Sequence, residues 1–414
     1  MKVLGIIAEY NPFHLGHLYH LQTAKRKINP TATIAILSSN FLQRGEPALI
    51  DKWARCETAL RNGIDLVLEL PVAFSSRSAM WFASGGVQSL AATGIVTHLA
   101  FGAESSDLKK LQLIADFFNH EEHSFQKSLD EYLKQGFSFP HARSLALNKV
   151  MGSDANDFIN ELNNPNNILA IAYLRNLALL SEKIEPVLVK RLGNYHAQRP
   201  ENQFASATAI RRLIKEKNSS WVNYVPEPTK EVLLKKFQDR EGPVFLENLE
   251  QGILSCLRRM SPAEIGNIIE VNEGLENRLW KMAPETGTIY ELIEKLKTKR
   301  YTHTRIQRLL IHLYLGFTKN DVFTQPYYLR VLGFNEKGQK LLKLIKTKAR
   351  LPIITKLAHG YKNIDESAKK MLELEIRATD LYTLAYPDPQ KRKGRLDFYR
   401  SPIVITTEIG RAHV

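Results

Sequence analysis

Short aliphatic runs separated by amphipathic stretches set the character of the first half of the chain. The runs fall at Val3–Ala8, Thr33–Leu37, Leu66–Leu70, His98–Phe101 and Pro186–Val189. Between most of them lie segments of helical period, such as His17–Lys27 and Lys52–Asn62. Strands alternating with helices predict right-handed βαβ units and a doubly wound parallel sheet, in which ligands bind beyond the carboxyl ends of the strands. Polar residues should therefore collect at those ends, and they do: Glu9-Tyr10-Asn11, Ser38 to Glu46, Phe101-Gly102-Ala103-Glu104 and Lys190-Arg191-Leu192-Gly193. Ordinary loop chemistry explains any one of these clusters, but four on one edge favour a site. After Ser220 glycine thins and amphipathic helical patterns take over, as at Lys230–Asp239, Phe245–Arg259, Ile289–Leu296 and Arg305–Leu315. The expected architecture is an α/β domain over residues 1–215 followed by a mainly helical C-terminal domain over 216–414, with a small subdomain after Tyr328. No fixed-period repeat or low-complexity segment interrupts it.

Composition narrows the class. Apolar residues make up 44% and charged residues 24% of the 414, ordinary values for a globular chain with sizeable cores. No apolar run approaches a membrane span, and the opening strand is too short for a signal peptide, so a cytoplasmic protein is expected. Cys56 and Cys256 form neither a disulfide framework nor a metal knuckle. Lys and Arg outnumber Asp and Glu by 57 to 43, giving a net charge of +14. That excess favours a polyanionic partner, RNA before membrane, with a basic enzyme lacking any macromolecular partner as the alternative.

The chemistry begins where the first strand ends. His14-Leu-Gly16-His17 follows it at a helix start, where unpaired N–H groups and the positive dipole end favour phosphate. Gly16 lets a nucleotide approach the backbone, and two imidazoles beside it can hydrogen-bond a leaving pyrophosphate as charge moves onto it. This HxGH signature belongs to nucleotidyl-transferring α/β enzymes, and it nominates His14 and His17 as catalytic; helix capping by a histidine is the plain alternative. A second phosphate motif comes late in the α/β part, where Ser206, Thr208, Arg211 and Arg212 open a helix. Ser206 would cap that helix, Thr208 would donate to a phosphate oxygen and Arg211 would neutralise charge; an ordinary N-cap with a solvated basic face is the alternative. Asn163 to Asn167 surround Pro165 at another helix entry, either as caps or with Asn167 reading adenine or ribose. No carboxylate or histidine cage for a metal is visible.

Residues 297–308 hold five Lys or Arg, a Tyr and a His, with no acid in twelve positions. Basic groups contact phosphates and an interleaved aromatic can stack on an unpaired base, which nominates Lys297, Lys299, Arg300, Tyr301, Arg305 and Arg308 for RNA; one solvated face of an exposed helix is the alternative. Lys337, Lys340, Lys343, Lys346, Lys348 and Arg350 form a second basic ridge.

Several long blocks together resemble the bacterial tRNA(Met) cytidine acetate ligases, a nucleotidyltransferase-like family, over nearly the whole chain. They are the opening AEYNPFHLGHLYHL, Ser38–Trp53, Ala100–Glu104, Asn164–Arg175, Ser206–Arg211 and Lys299–Leu310. The resemblance implies an ATP-dependent ligase that activates acetate as acetyl-adenylate and acetylates N4 of the wobble cytidine of elongator tRNA(Met), with Mg2+ accompanying the triphosphate. It carries the ATP site onto Ile7, Ala8, Glu9, Tyr10, Asn11, Pro12, Phe13, His14, Gly16, His17 and His20, with Gly102, Asn167, Arg191, Ser206, Thr208 and Arg211. Gln43 and Arg44 are the candidates for the cytidine pocket. A small-molecule adenylyltransferase and a non-catalytic RNA-binding protein with a relic nucleotide site are the competing classes. The extra basic helical half argues against the first, and the intact His14, Gly16, His17 and Arg211 against the second.

Overall fold

The structure, a computed structural model, describes residues 1–120, 123–191, 204–272, 274–298 and 301–406. Each aliphatic run of the first half is a strand: β1 (Val3–Ala8), β2 (Ala32–Ser38), β3 (Leu66–Leu70), β4 (His98–Ala103) and β5 (Glu185–Lys190). They pair in parallel in the order β5-β4-β1-β2-β3. The strand order reverses between β1 and β4, which is where a doubly wound sheet opens its ligand crevice.

The period of two along each strand divides the core into two layers. Leu4, Ile6 and Ala8 of β1 face α1 (Leu15–Ile28) and α2 (Lys52–Arg61), burying Leu21, Ala24, Trp53 and Ala59 between them. Val3 and the β2 residues Ile34 and Ile36 face the other way, against the helices Ala79–Ala92 and Pro165–Ala178. Both faces are covered, which is why these strands are near-continuous apolar runs rather than alternating ones.

The second half is mainly helical, and the helices over Glu227–Gln238, Glu250–Arg259, Ile289–Leu296 and His303–Leu315 coincide with the amphipathic patterns. It is not separate from the sheet, however. The chain returns after Tyr328 as β6 (Leu329–Asn335), antiparallel to β3, and β6 carries β7 (Ile353–Ile354) and β8 (Ile403–Ile405), giving eight strands among the described residues. The boundary at 215/216 therefore marks a change of composition, while the sheet is shared across it.

One buried charge cluster fastens the two halves. Lys52 of α2 is fully enclosed, with its Nζ 2.6 Å from Glu69 of β3, 2.8 Å from Glu375 of the helix Glu366–Thr383 and 2.8 Å from Asp397. Arg330 of β6 completes it, 3.2 Å from Glu69 and 2.5 Å from Asp397. Glu375 also accepts the Ser39 hydroxyl and, at 2.6 Å, the Val72 N–H. The cluster thus ties the start of the loop after β2 to the C-terminal helix.

Candidate active site

His14 is the N-cap of α1, in extended conformation. Its Nδ1 accepts the Gly16 N–H at 3.0 Å, and Nδ1 of His17 accepts the His14 N–H at 3.2 Å, so the two histidines cap the helix reciprocally. The Nδ1 lone pair of each ring is thereby used, which leaves Nε2 to carry the proton of each neutral ring. The rings stack at a centroid separation of 3.7 Å. A side chain at Gly16 would sit 2.9 Å from Cε1 of His14, so the spacing of HxGH follows from ring packing as well as from ligand access. Burial, then the cations Arg191 and Arg211, lower the His14 pKa to about 3. His17 is lowered by burial, His14 and Arg191, and His20 is lowered to about 4 by burial and Arg191. The three imidazoles are therefore neutral N–H donors near pH 7, and the positive charge of the cleft comes from Arg191 and Arg211. The capping alternative is thus what the structure shows, and capping fixes the tautomer in which each ring presents Nε2–H.

These rings line a cleft of about 240 Å3 at the carboxyl edge of the sheet. Of the nominated residues, Ile7, Ala8, Glu9, Tyr10, Asn11, His14, Gly16, His17, His20, Gly102, Arg191, Ser206, Thr208 and Arg211 line it together. A second helix, Ala207–Lys215, starts at this cleft, and Ser206 caps it by accepting the Ala209 N–H at 3.1 Å. Two positive helix ends thus face one cavity. Arg211 is anchored on the Asn11 carbonyl at 3.1 Å and the Glu46 carboxylate at 2.6 Å. Tyr10 holds a backbone φ of 48°, in the left-handed region that non-glycine residues avoid, and such strain concentrates at functional sites. Among the described residues Tyr10 Oη, Asn11 Nδ2 and His20 Nε2 are buried with no hydrogen-bond partner, an uncompensated cost that a ligand rich in acceptors would remove.

Three nominated residues fall outside the cleft lining. Phe13 is fully buried in the core beside Tyr10 and His17, and Pro12 shapes the turn between them. Asn167 is enclosed: its Oδ1 accepts the N–H groups of Glu104 and Ser105 at 2.9 and 3.0 Å, and its Nδ2 donates to Glu161 at 2.7 Å. The adjacent Asn166 lines the cleft instead, held by Glu104. Gln43 and Arg44 line the cleft from the loop after β2, as do Leu42 and Glu46. Phe82, Tyr173 and Phe204 add apolar lining from separate segments and carry no local sequence signal.

The basic run behaves differently. Lys297 is half exposed beside Glu294 at 3.6 Å, and Lys299 and Arg300 lie outside the described residues. Tyr301 does not stand free for stacking: it is 7% exposed and packed into the core, with the Arg305 guanidinium 5.0 Å from its ring. Arg305 donates to Asn272 at 2.6 Å, and Arg308 lies 3.8 Å from the Glu270 carboxylate. The helix they open nonetheless abuts the cleft. At Gly45, in the same loop as Gln43 and Arg44, a Cβ would meet the backbone nitrogen of Arg308 at 2.2 Å, so only glycine permits that contact. Among the described residues no group of three or more His, Cys, Asp or Glu is placed to hold a metal ion, and no helix is long and apolar enough to cross a membrane.

Known proteins resemble this chain in sequence and in fold. Residues 1–397 match the family described as HIGH Nucleotidyl Transferase. A tRNA(Met) cytidine acetate ligase of Thermoanaerobacter sp. strain X514 is 45% identical over 93% of this chain and 96% of its own. That of Halothermothrix orenii is 43% identical over 96% and 98%. This chain belongs to that family. Among solved structures, Thermotoga maritima TmcAL bound with alpha-thio ATP superposes with a TM-score of 0.93 at 39% identity, covering 98% of this chain and all of that one. The apo form of the same protein gives 0.94.

Proposed function

We propose that this protein is a cytoplasmic ATP-dependent ligase that activates acetate as acetyl-adenylate and transfers the acetyl group to N4 of the wobble cytidine of elongator tRNA(Met). The observation that carries this is the meeting, in one cleft, of the His14/His17 helix start with the Ser206 helix start and with Arg191 and Arg211. Such a site offers donors and positive potential to a triphosphate, and the family's named activity supplies the acceptor. An acetate oxygen attacks the α-phosphate in line and pyrophosphate departs. Nε2–H of His14 and His17 and the helix N-terminus stabilise the charge spreading over the phosphate oxygens, and positioning contributes the rest. The cytidine amine then attacks the mixed anhydride and AMP leaves. A covalent acyl-enzyme is not needed, and Cys56, buried with its thiol pushed up by burial, is not a nucleophile. Mg2+ would enter this cleft with the triphosphate and offset its charge, since no group of three or more His, Cys, Asp or Glu among the described residues would hold it alone.

The test is one incubation of radiolabelled acetate, ATP and bulk bacterial tRNA, reading label in acid-precipitable RNA. ATP-dependent label in tRNA is the expected result. Absence of label with intact ATP and acetate would overturn the assignment and point to a small-molecule adenylyltransferase.

A further inference from the structure

Glu9 follows the last residue of β1, lines the cleft and bends toward the β2 side of it, because its Oε1 accepts the Gln43 N–H at 2.9 Å. That bond engages Oε1, and Oε2 is the oxygen left to face a ligand in the cleft. The crevice where the strand order reverses lies on the opposite side, between β1 and β4, beside His20, Gly102 and Arg191. A nucleotide there leaves the β2 side of the cleft for the second substrate. That side is also where the basic helical half arrives, since Gly45 of the Gln43 loop packs on the backbone of Arg308.

From this placement we infer that Glu9 receives the N4 amine of the incoming cytidine, first accepting its hydrogen bond and then its proton as the amine attacks the acetyl carbon. A carboxylate is the natural acceptor for the cytosine amine. The other groups of the cleft are unsuited. His14 and His20, lowered to about 3 and about 4, are weak bases, and Glu46 is engaged by Arg211. Burial raises the Glu9 carboxyl against the opposing pull of Arg44 and Arg211, with Glu46 adding to the rise, and this makes it a better base than an exposed glutamate. Tyr173 and Arg55 complete the titratable surroundings. The step balances. The C–N bond forms, the bond between the acetyl carbon and the phosphate oxygen breaks with its electron pair going to AMP, and the amine proton passes to Glu9 Oε2.

The inference rests on the acetyl-transfer function proposed above, and wild-type protein alone tests that function: acetate-dependent exchange of pyrophosphate into ATP, and acetyl in tRNA. Failure of either in the wild type removes both proposals. Given both, Glu9→Gln, which keeps an oxygen for the Gln43 N–H, is assayed for exchange and for single-turnover transfer to tRNA. Transfer should fall about 100-fold more than exchange, and the acid limb of its pH profile should disappear. Glu9→Asp, which keeps a carboxylate, should recover part of the transfer. A parallel fall in the two rates, an unchanged transfer rate, or an exchange deficit restored by added Mg2+ would each overturn the role.

Discussion

Two charge-rich centres lie within the same sheet, and they are built on opposite terms. Around Lys52 every charged group meets an opposite charge at 2.5 to 3.2 Å, and the side chains come from both halves of the chain. Around His14, Tyr10, Asn11 and His20 each keep a buried atom unpaired among the described residues. In the first centre charge is matched by charge, although Asp397 Oδ2 has no hydrogen-bond partner among the described residues, and the whole network is enclosed. In the second the unpartnered atoms belong to residues that line a cleft. The difference separates a fastening from a site: an enclosed ion network has no opening to a ligand, whereas unpaired donors at a cleft gain from one. The two centres also titrate in opposite senses. Three carboxylates face two cations around Lys52, so one carboxyl tends to keep its proton, and burial with Glu375 beside it raises Glu69 to about 7. The folded state then holds this proton more tightly than the unfolded one, so this contribution to stability is present below about pH 4.5 and is lost as pH rises through 7. The cleft histidines do the reverse.

The sharpest way to break the comparison is Lys52→Met. Removing the lysine leaves buried carboxylates without their shared partner, and stability should fall by about 3–5 kcal/mol. Thermal unfolding measures it; a melting temperature within a few degrees of wild type would mean that the cluster is not a fastening.

His14→Ala probes the other centre in two ways. Adenylate formation, read as acetate-dependent pyrophosphate exchange, should drop by about two to three orders of magnitude, while tRNA binding survives. The lost cap should cost only about 1 kcal/mol. His14 takes up a proton near 6.5 when unfolded and only at about 3 when folded, so the unfolded state binds more protons in between and stability falls as pH drops below 6.5. The variant should therefore lose about 1.4 kcal/mol per pH unit of that acid slope. An unchanged slope would show that the ring is not buried neutral, and wild-type exchange would remove its catalytic role.

How much of this was legible in the sequence depended on how local each feature is. The five parallel strands announced themselves as aliphatic runs, and the His14 helix start lies next to the strand that positions it. The C-terminal strands did not: β7 has two residues and β8 three, and β6 pairs with a strand more than 250 positions earlier, so no local period reveals them. Lys52 reads as a surface lysine on an amphipathic helix until Glu375 and Asp397 are brought to it. Phe82 and Tyr173 carry no mark of the cleft they line. Tyr301, by contrast, looked chemical because basic residues surround it, yet its ring completes the helical core, and the cations beside it are largely spoken for by Asn272 and Glu270.

That last point makes the smallest effect the most selective test. If the arginines of the His303–Leu315 helix are structural, RNA affinity from this run must come from the residues before it. Lys297, Lys299 and Arg300 changed together to Gln should leave pyrophosphate exchange at its wild-type rate and weaken tRNA binding. The slope of log affinity against log salt should become shallower by about two to three, one increment per lost phosphate contact. Arg305→Gln should instead lower the melting temperature through Asn272 and Tyr301 and leave the salt slope alone. The opposite pattern, a salt slope that follows Arg305 and ignores the triple change, would return the RNA contact to the helix and make its ion pairs part of the site.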